Sequence, residues 1–183
     1  MNIFKKIFIG IGVLVIVFIA AFFYFMRNTK SLSPQAKASY NQGGMDVTVD
    51  YCQPSKRGRL IFGEEAAKAL VPYGKVWRTG ANEATLIKFN QDVTVAGKPL
   101  KAGEYTLWTI PGATDWQVVI NSETGQWGTD YNEKMDVFRA PVSITAKPTE
   151  TETFTIDFVE QAGGADMMLS WDKTEVIIPI RKQ

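Results

Sequence analysis

From Ile7 to Met26 the chain reads IFIGIGVLVIVFIAAFFYFM, about twenty residues without a charge or a proline. At 1.5 Å of rise per residue, such a helix spans roughly 30 Å, the thickness of a bilayer's hydrocarbon core. A cleaved signal peptide has a shorter apolar stretch, roughly 7–15 residues, closed by a small-x-small site. Here Ala20 and Ala21 run into Phe22, Phe23, Tyr24 and Phe25, the composition of an interfacial aromatic belt. No cysteine follows the run directly, so there is no point for lipid attachment. The expectation is an uncleaved, single-pass anchor over residues 1–27. Lys5 and Lys6 on one side nearly balance Arg27, Lys30 and Lys37 on the other. A short head before a long domain favours export, with the anchor in the inner (cytoplasmic) membrane and the domain facing the periplasm or cell exterior.

Residues 28–42 are polar, rich in Ser, Lys and Gln, and carry Pro34, which reads as a tether. Residues 43–183 are then one domain, long enough to bury a core without covalent staples. Within it, apolar positions recur at every second residue. Val47, Val49 and Tyr51 alternate with Thr48, Asp50 and Cys52; Trp116, Val118 and Ile120 alternate with Gln117 and Asn121. Phe154, Ile156 and Phe158 alternate with Thr155 and Asp157, and Val176, Ile178 and Ile180 follow the same period. Pro179 suggests an edge position for that last strand. Further strands are expected over 84–90, 93–96, 104–110 and 166–171, with turns at Gly97-Lys98, Ala102-Gly103, Pro111-Gly112 and Gly163-Gly164. The fold class is all-β, an antiparallel sandwich or jelly-roll-like domain. One short helix is expected at Glu64–Leu70, stopped by Pro72.

Composition removes whole classes of chemistry. The chain has no histidine and one cysteine, Cys52. Serine–histidine and cysteine–histidine catalysis, thiolate metal clusters and intrachain disulfides are therefore excluded. Nothing implies a cofactor or a metal. A net charge of +1 with interspersed signs offers nucleic acid no electrostatic footprint. Cys52, on an expected strand, reads as a small buried side chain. Paired carboxylates remain as general acid/base apparatus, with Glu83, Asp50 and Asp136 the set to weigh for a hydrolase. No catalytic residue is assigned.

The long connection from Tyr51 to Thr85 is the best place for binding chemistry, since irregular segments on a β scaffold carry function. It supplies Arg57, Arg59, Tyr73, Trp77, Arg78, Asn82 and Glu83, and Trp127 in SETGQWGTDY joins them as a candidate ligand contact. Arginine forks suit carboxylate or phosphate, and tryptophan offers a stacking face. The competing reading pairs these arginines with Glu83, Asp50 or Asp136 and leaves them a structural role. Trp108, Trp116 and Trp171 read as core.

The segments GRLIFG, VPYGKVWRTGANEAT, VAGKPLKAGEYTLWTIPG and the later WQVVIN, QWG and FR closely resemble the domain of unknown function 2911 family over residues 33–181. That resemblance implies an exported β-sandwich domain of a kind found mainly in Bacteroidota, without established catalytic residues. The chain departs from the family pattern in keeping an anchor and in its EEAAKAL insertion before VPYG. The functional expectation is a membrane-anchored envelope protein bearing a binding or interaction module. Its partners would be the membrane through residues 7–26 and an envelope protein, a glycan or a small anionic ligand. The alternatives are a structural component of an envelope assembly and a carboxylate-dependent hydrolase.

Overall fold

The computed structural model describes residues 3–183, so Met1 and Asn2 of the expected anchor lie outside it. The chain divides into two units, residues 1–32 and 33–183. The first is one helix, α1 (Ile3–Leu32). Its stretch from Ile7 to Leu32 is long and apolar enough to cross a membrane, a property that signal sequences share. Large apolar side chains such as Phe8, Leu14 and Phe18 stand exposed on it, whereas a core helix of a water-soluble domain would bury that face.

The second unit is all-β. Its strands are β1 (Gln35–Gln42), β2 (Met45–Cys52), β3 (Phe62–Gly63), β4 (Val71–Pro72), β5 (Thr85–Phe89), β6 (Val93–Val95) and β7 (Lys98–Leu100). These are followed by β8 (Gly103–Ile110), β9 (Asp115–Asn121), β10 (Asp136–Gln161) and β11 (Gly164–Lys182). Nine of them form one antiparallel sheet in the order β1-β2-β5-β8-β9-β10-β11-β6-β7, and β3 and β4 make a small parallel pair.

Two long strands fold this sheet over its own core. β10 pairs with β9 through Ser143 and then with β11 from Ile144 onward. β11 in turn leaves β10 after Val176 and pairs with β6 from Ile180. Pro179 sits in that gap, where the missing N–H breaks no ladder bond. The strand is therefore central in the sheet, not at its edge, and the proline is tolerated because the local pairing is one-sided.

The inward faces meet in an aromatic cluster. Phe62 lies 4.8 Å from Trp116, 5.7 Å from Trp77 and 6.0 Å from Trp171, by ring centroids. Trp77 stacks on Trp171 at 5.7 Å, and Phe154 packs edge-on to Trp77 at 5.1 Å. Trp116 and Trp171 are buried in this core, as their alternation predicts, whereas Trp108, expected there too, is buried on the other face of its strand, its ring 4.9 Å from Tyr131.

Two further expectations need correction. Residues 28–42 are not a tether: α1 continues to Leu32, and 35–42 form β1, paired along its whole length with β2. The strand is disguised because its core-facing residues are small, Ala36 and Ala38 before Tyr40, while Gln35, Lys37, Ser39 and Asn41 alternate outward. The turn that follows is Gly43-Gly44, both in the left-handed region at φ 57° and 85°. That is the backbone of a two-residue hairpin whose twist matches the strands, and it fixes the β1–β2 register. The expected helix at Glu64–Leu70 is a single 3-10 turn at Glu65–Ala67, ended by Lys68 at φ 58°. None of that turn is buried, and a short helix without a packed face has nothing to offset its nucleation cost.

A candidate ligand cleft on the outer face

The alternation that sends Val49 and Tyr51 inward sends Asp50 and Cys52 to the opposite side of β2. Register places Lys37 across from Asp50 on one side and Leu86 across from it on the other. Lys37 Nζ and Asp50 Oδ1 are 3.1 Å apart, an ion pair with both side chains substantially exposed. Over this outer face lies a cleft of about 510 Å³, lined by the ends of β1 and β2, the start of β5, Glu83, and the loop residues Gly125 and Gln126. Its walls mix apolar Ala84 and Leu86 with polar Gln35, Lys37, Asp50 and Glu83, the composition of a small-ligand site.

At one end, Cys52 Sγ donates to Glu83 Oε2 at 3.6 Å. Cys52 is buried, as expected. Glu83 is held in place by a β-bridge to Trp127, which ties the 78–83 segment to the 122–128 loop. Gln126 Nε2 donates to Glu123 O at 3.2 Å, while its Oε1 is buried without a hydrogen-bond partner, as is Glu123 Oε2. Both atoms are closed to solvent, and an unmet buried acceptor costs about 1–3 kcal/mol, so this loop is held at some expense among the described residues.

The structure scatters the residues singled out from sequence among different settings. Trp77 belongs to the core, with its indole N–H on Gly80 O at 3.0 Å. Asn82 is buried, takes the left-handed φ of 59°, and donates to Ser33 O at 3.3 Å, pinning the start of the domain. Arg57 and Arg59 sit on a separate exposed turn: Arg57 N donates to Glu152 Oε1 at 2.8 Å, and the Arg59 guanidinium to the carbonyls of Ser55 and Lys56. Tyr73 is half-buried, its backbone N–H on Gly63 O at 2.9 Å. Of the eight, only Glu83 lines the cleft. Trp127 reaches it through its bridge to Glu83.

Arg78 is the oddest of the group. Its side chain lies flat on Gly128, where any Cβ would come within 1.9 Å of Arg78 Cδ. One nitrogen donates to Gly128 O at 3.2 Å, and Nε is buried without a partner. Burial pulls the guanidinium below its ordinary pKa, offset in part by the nearby Cys52 thiol. The residue that follows is strained too: buried Thr79, β-branched, holds φ 51°, supported by Thr109 Oγ1 at 3.1 Å and by Thr85 Oγ1 donating to Thr79 O at 2.8 Å.

Asp50 pairs with Lys37, and Asp136 with Arg139, outside the long connection. Asp136 accepts from Arg139 Nε at 2.9 Å, Tyr131 at 2.6 Å and Asn121 at 2.9 Å, a satisfied cluster apart from the cleft. Burial, then the Asp136 hydrogen bond, pushes the Tyr131 phenol up to about 12. Asp50 and Glu83 share the cleft, but Asp136 does not join them. Sequence reasoning missed Gln35 and Lys37, hidden in the supposed tether, and Gln126. The outward phase of Asp50 and Cys52 was the signal that could have located the cleft.

An all-β domain with an outer-face cleft, carried behind a helix apolar enough to cross a membrane, is the class that fold and site define. The chain belongs to the family described as protein of unknown function DUF2911, whose model matches residues 33–180, the whole sheet through Ile180. No curated protein and no solved structure matches it.

Proposed function

We propose that this is a single-pass protein of the inner membrane whose domain, displayed to the periplasm or cell exterior, binds a ligand in the outer-face cleft. The cleft carries this reading. It is about 510 Å³, in the range of small-ligand sites, and is built on a rigid sheet. Its lining carries two carboxylates, Asp50 and Glu83, against one cation, Lys37, which is paired with Asp50. An anionic ligand would meet two carboxylates, so the anion anticipated from the arginines is replaced by a ligand that presents hydroxyl or ammonium donors. The pairing of Asp50 with Lys37 favours binding over hydrolysis by two carboxylates.

Two experiments test this. An alkaline phosphatase fused after Gln183 is active in cells if the domain is exported; an inactive fusion puts it on the cytoplasmic side. Full-length protein in detergent, applied to arrays of neutral glycans and peptides, retains specific members. Ala84→Trp, which fills the cleft from the β5 side, abolishes that retention without changing the far-ultraviolet spectrum. Retention equal to wild type, or none by either protein, overturns the cleft as the site.

A second reading, an interaction surface within an envelope assembly, has one observation in its favour. Leu60, Leu70 and Val76 are exposed on the 57–76 arm, and Leu70 N bonds Leu60 O at 2.9 Å, which brings two of them together.

A further inference from the structure

A sheet that is not closed has edges, and natural proteins protect them. Three edges matter here, and they are treated differently. β7 has three residues, including Lys98 and Pro99, and offers little to pair with. The free side of β10 is covered by the end of β2 and the chain after it: Phe154 N bonds Pro54 O at 2.9 Å, Lys56 N bonds Glu152 O at 2.7 Å, and Ile156 N bonds Tyr51 Oη at 3.0 Å. β1 has neither defence. It is eight residues long, pairs with β2 without a register shift, and carries no proline and one charge, Lys37.

The hairpin fixes which backbone groups β1 leaves open. Gln42 and Met45 close a two-residue turn and so exchange both hydrogen bonds. Counting back by twos, Tyr40, Ala38 and Ala36 bond to β2. The N–H and C=O of Gln35, Lys37, Ser39 and Asn41 point away from it. Among the described residues none of these groups has a backbone partner. They repeat about every 6.8 Å, the spacing that another strand presents. β10 comes up against the far end, where Tyr40 and Phe158 rings are 6.3 Å apart, leaving Gln35 to Ser39 as the accessible stretch. The side chains of Gln35 and Lys37 on that stretch line the cleft.

We propose that the partner of this site is an extended protein segment that adds as a strand to β1 between Gln35 and Ser39 and places a basic side chain in the cleft. Main-chain bonds to the open edge supply affinity, and the cleft reads one side chain, the division of labour in strand addition. A lysine or arginine fits because the lining carries two carboxylates, Asp50 and Glu83, against a single cation, Lys37. This rests on the cleft being the binding site, and deepens it by naming the ligand as peptide in place of glycan.

The test uses full-length protein in detergent and fluorescent peptides about ten residues long, alternating threonine and valine, with a central lysine, arginine, serine or glutamate. The lysine and arginine peptides bind, and the glutamate peptide binds at least roughly tenfold more weakly. Ser39→Pro removes an outward N–H without touching the ladder to β2, so it keeps the wild-type melting curve and loses the peptide. Methylating alternate peptide nitrogens abolishes binding in one phase and not in the other. Binding that survives Ser39→Pro and both methylation phases overturns strand addition while leaving the cleft reading intact. Failure of all four peptides overturns the proposal, and array retention by wild type that Ala84→Trp loses would still stand for the cleft.

Discussion

The two faces of β2 are built from the same eight residues and behave as different materials. On the inner face, Met45, Val47, Val49 and Tyr51 are buried against the opposing layer, and the Tyr51 ring meets Phe154 edge-on at 5.7 Å. On the outer face, Asp50 and Cys52 look into a cleft. The inner face is close-packed, so a change there is felt as lost stability. The outer face is open and mixed in polarity, and on the proposed reading a change there is felt as lost binding. Period-two alternation keeps the two roles apart: a site can be tuned on one side of a strand without disturbing the core on the other.

Trp171 gives the largest expected effect. Its indole contacts Phe62, Trp77 and Phe154 and donates to Glu152 O at 3.2 Å. Trp171→Ala should cost about 3–5 kcal/mol, from lost transfer energy and the cavity left behind. In a domain of this size that lowers the melting temperature by roughly 10 °C. Leu86→Ala, on the outer face, should cost about 1 kcal/mol or less while enlarging the cleft. Calorimetry of the two variants measures the contrast directly. Equal losses would mean that the faces are not energetically distinct.

That same period explains what could be read in the sequence. Strands with large apolar residues in phase, such as Phe154-Ile156-Phe158 and Val176-Ile178-Ile180, are legible because each large side chain marks its face. β1 is not, because Ala36 and Ala38 face the core without raising local hydropathy. Its partner is joined to it only through a Gly-Gly turn. The Arg/Trp/Asn segment is expected from sequence to gather a site, but its residues scatter. Trp77 fills the core and Asn82 pins Ser33, since a large ring and a side-chain amide can satisfy themselves inside the domain as readily as against a ligand. What composes the cleft is register: Lys37, Asp50 and Leu86 are distant in sequence and adjacent only after two antiparallel pairings. No local pattern encodes that adjacency.

Arg78 sharpens the comparison with the smallest effect. It lies near the cleft, yet among the described residues its guanidinium makes one hydrogen bond and its buried Nε has no partner. A partly buried cation without a carboxylate loses hydration and recovers little, which is why burial holds its pKa down. Were it a structural pin, replacing it would be costly. As the contacts stand, Arg78→Met keeps the aliphatic packing over Gly128 and removes the unmet donor, so stability should change by less than about 1 kcal/mol or rise. Denaturant melts of Arg78→Met and wild type decide it. A loss above about 2 kcal/mol would mean that the charge itself holds the 78–83 segment to the 122–128 loop, and the outer face would then be part of the scaffold as well as the site.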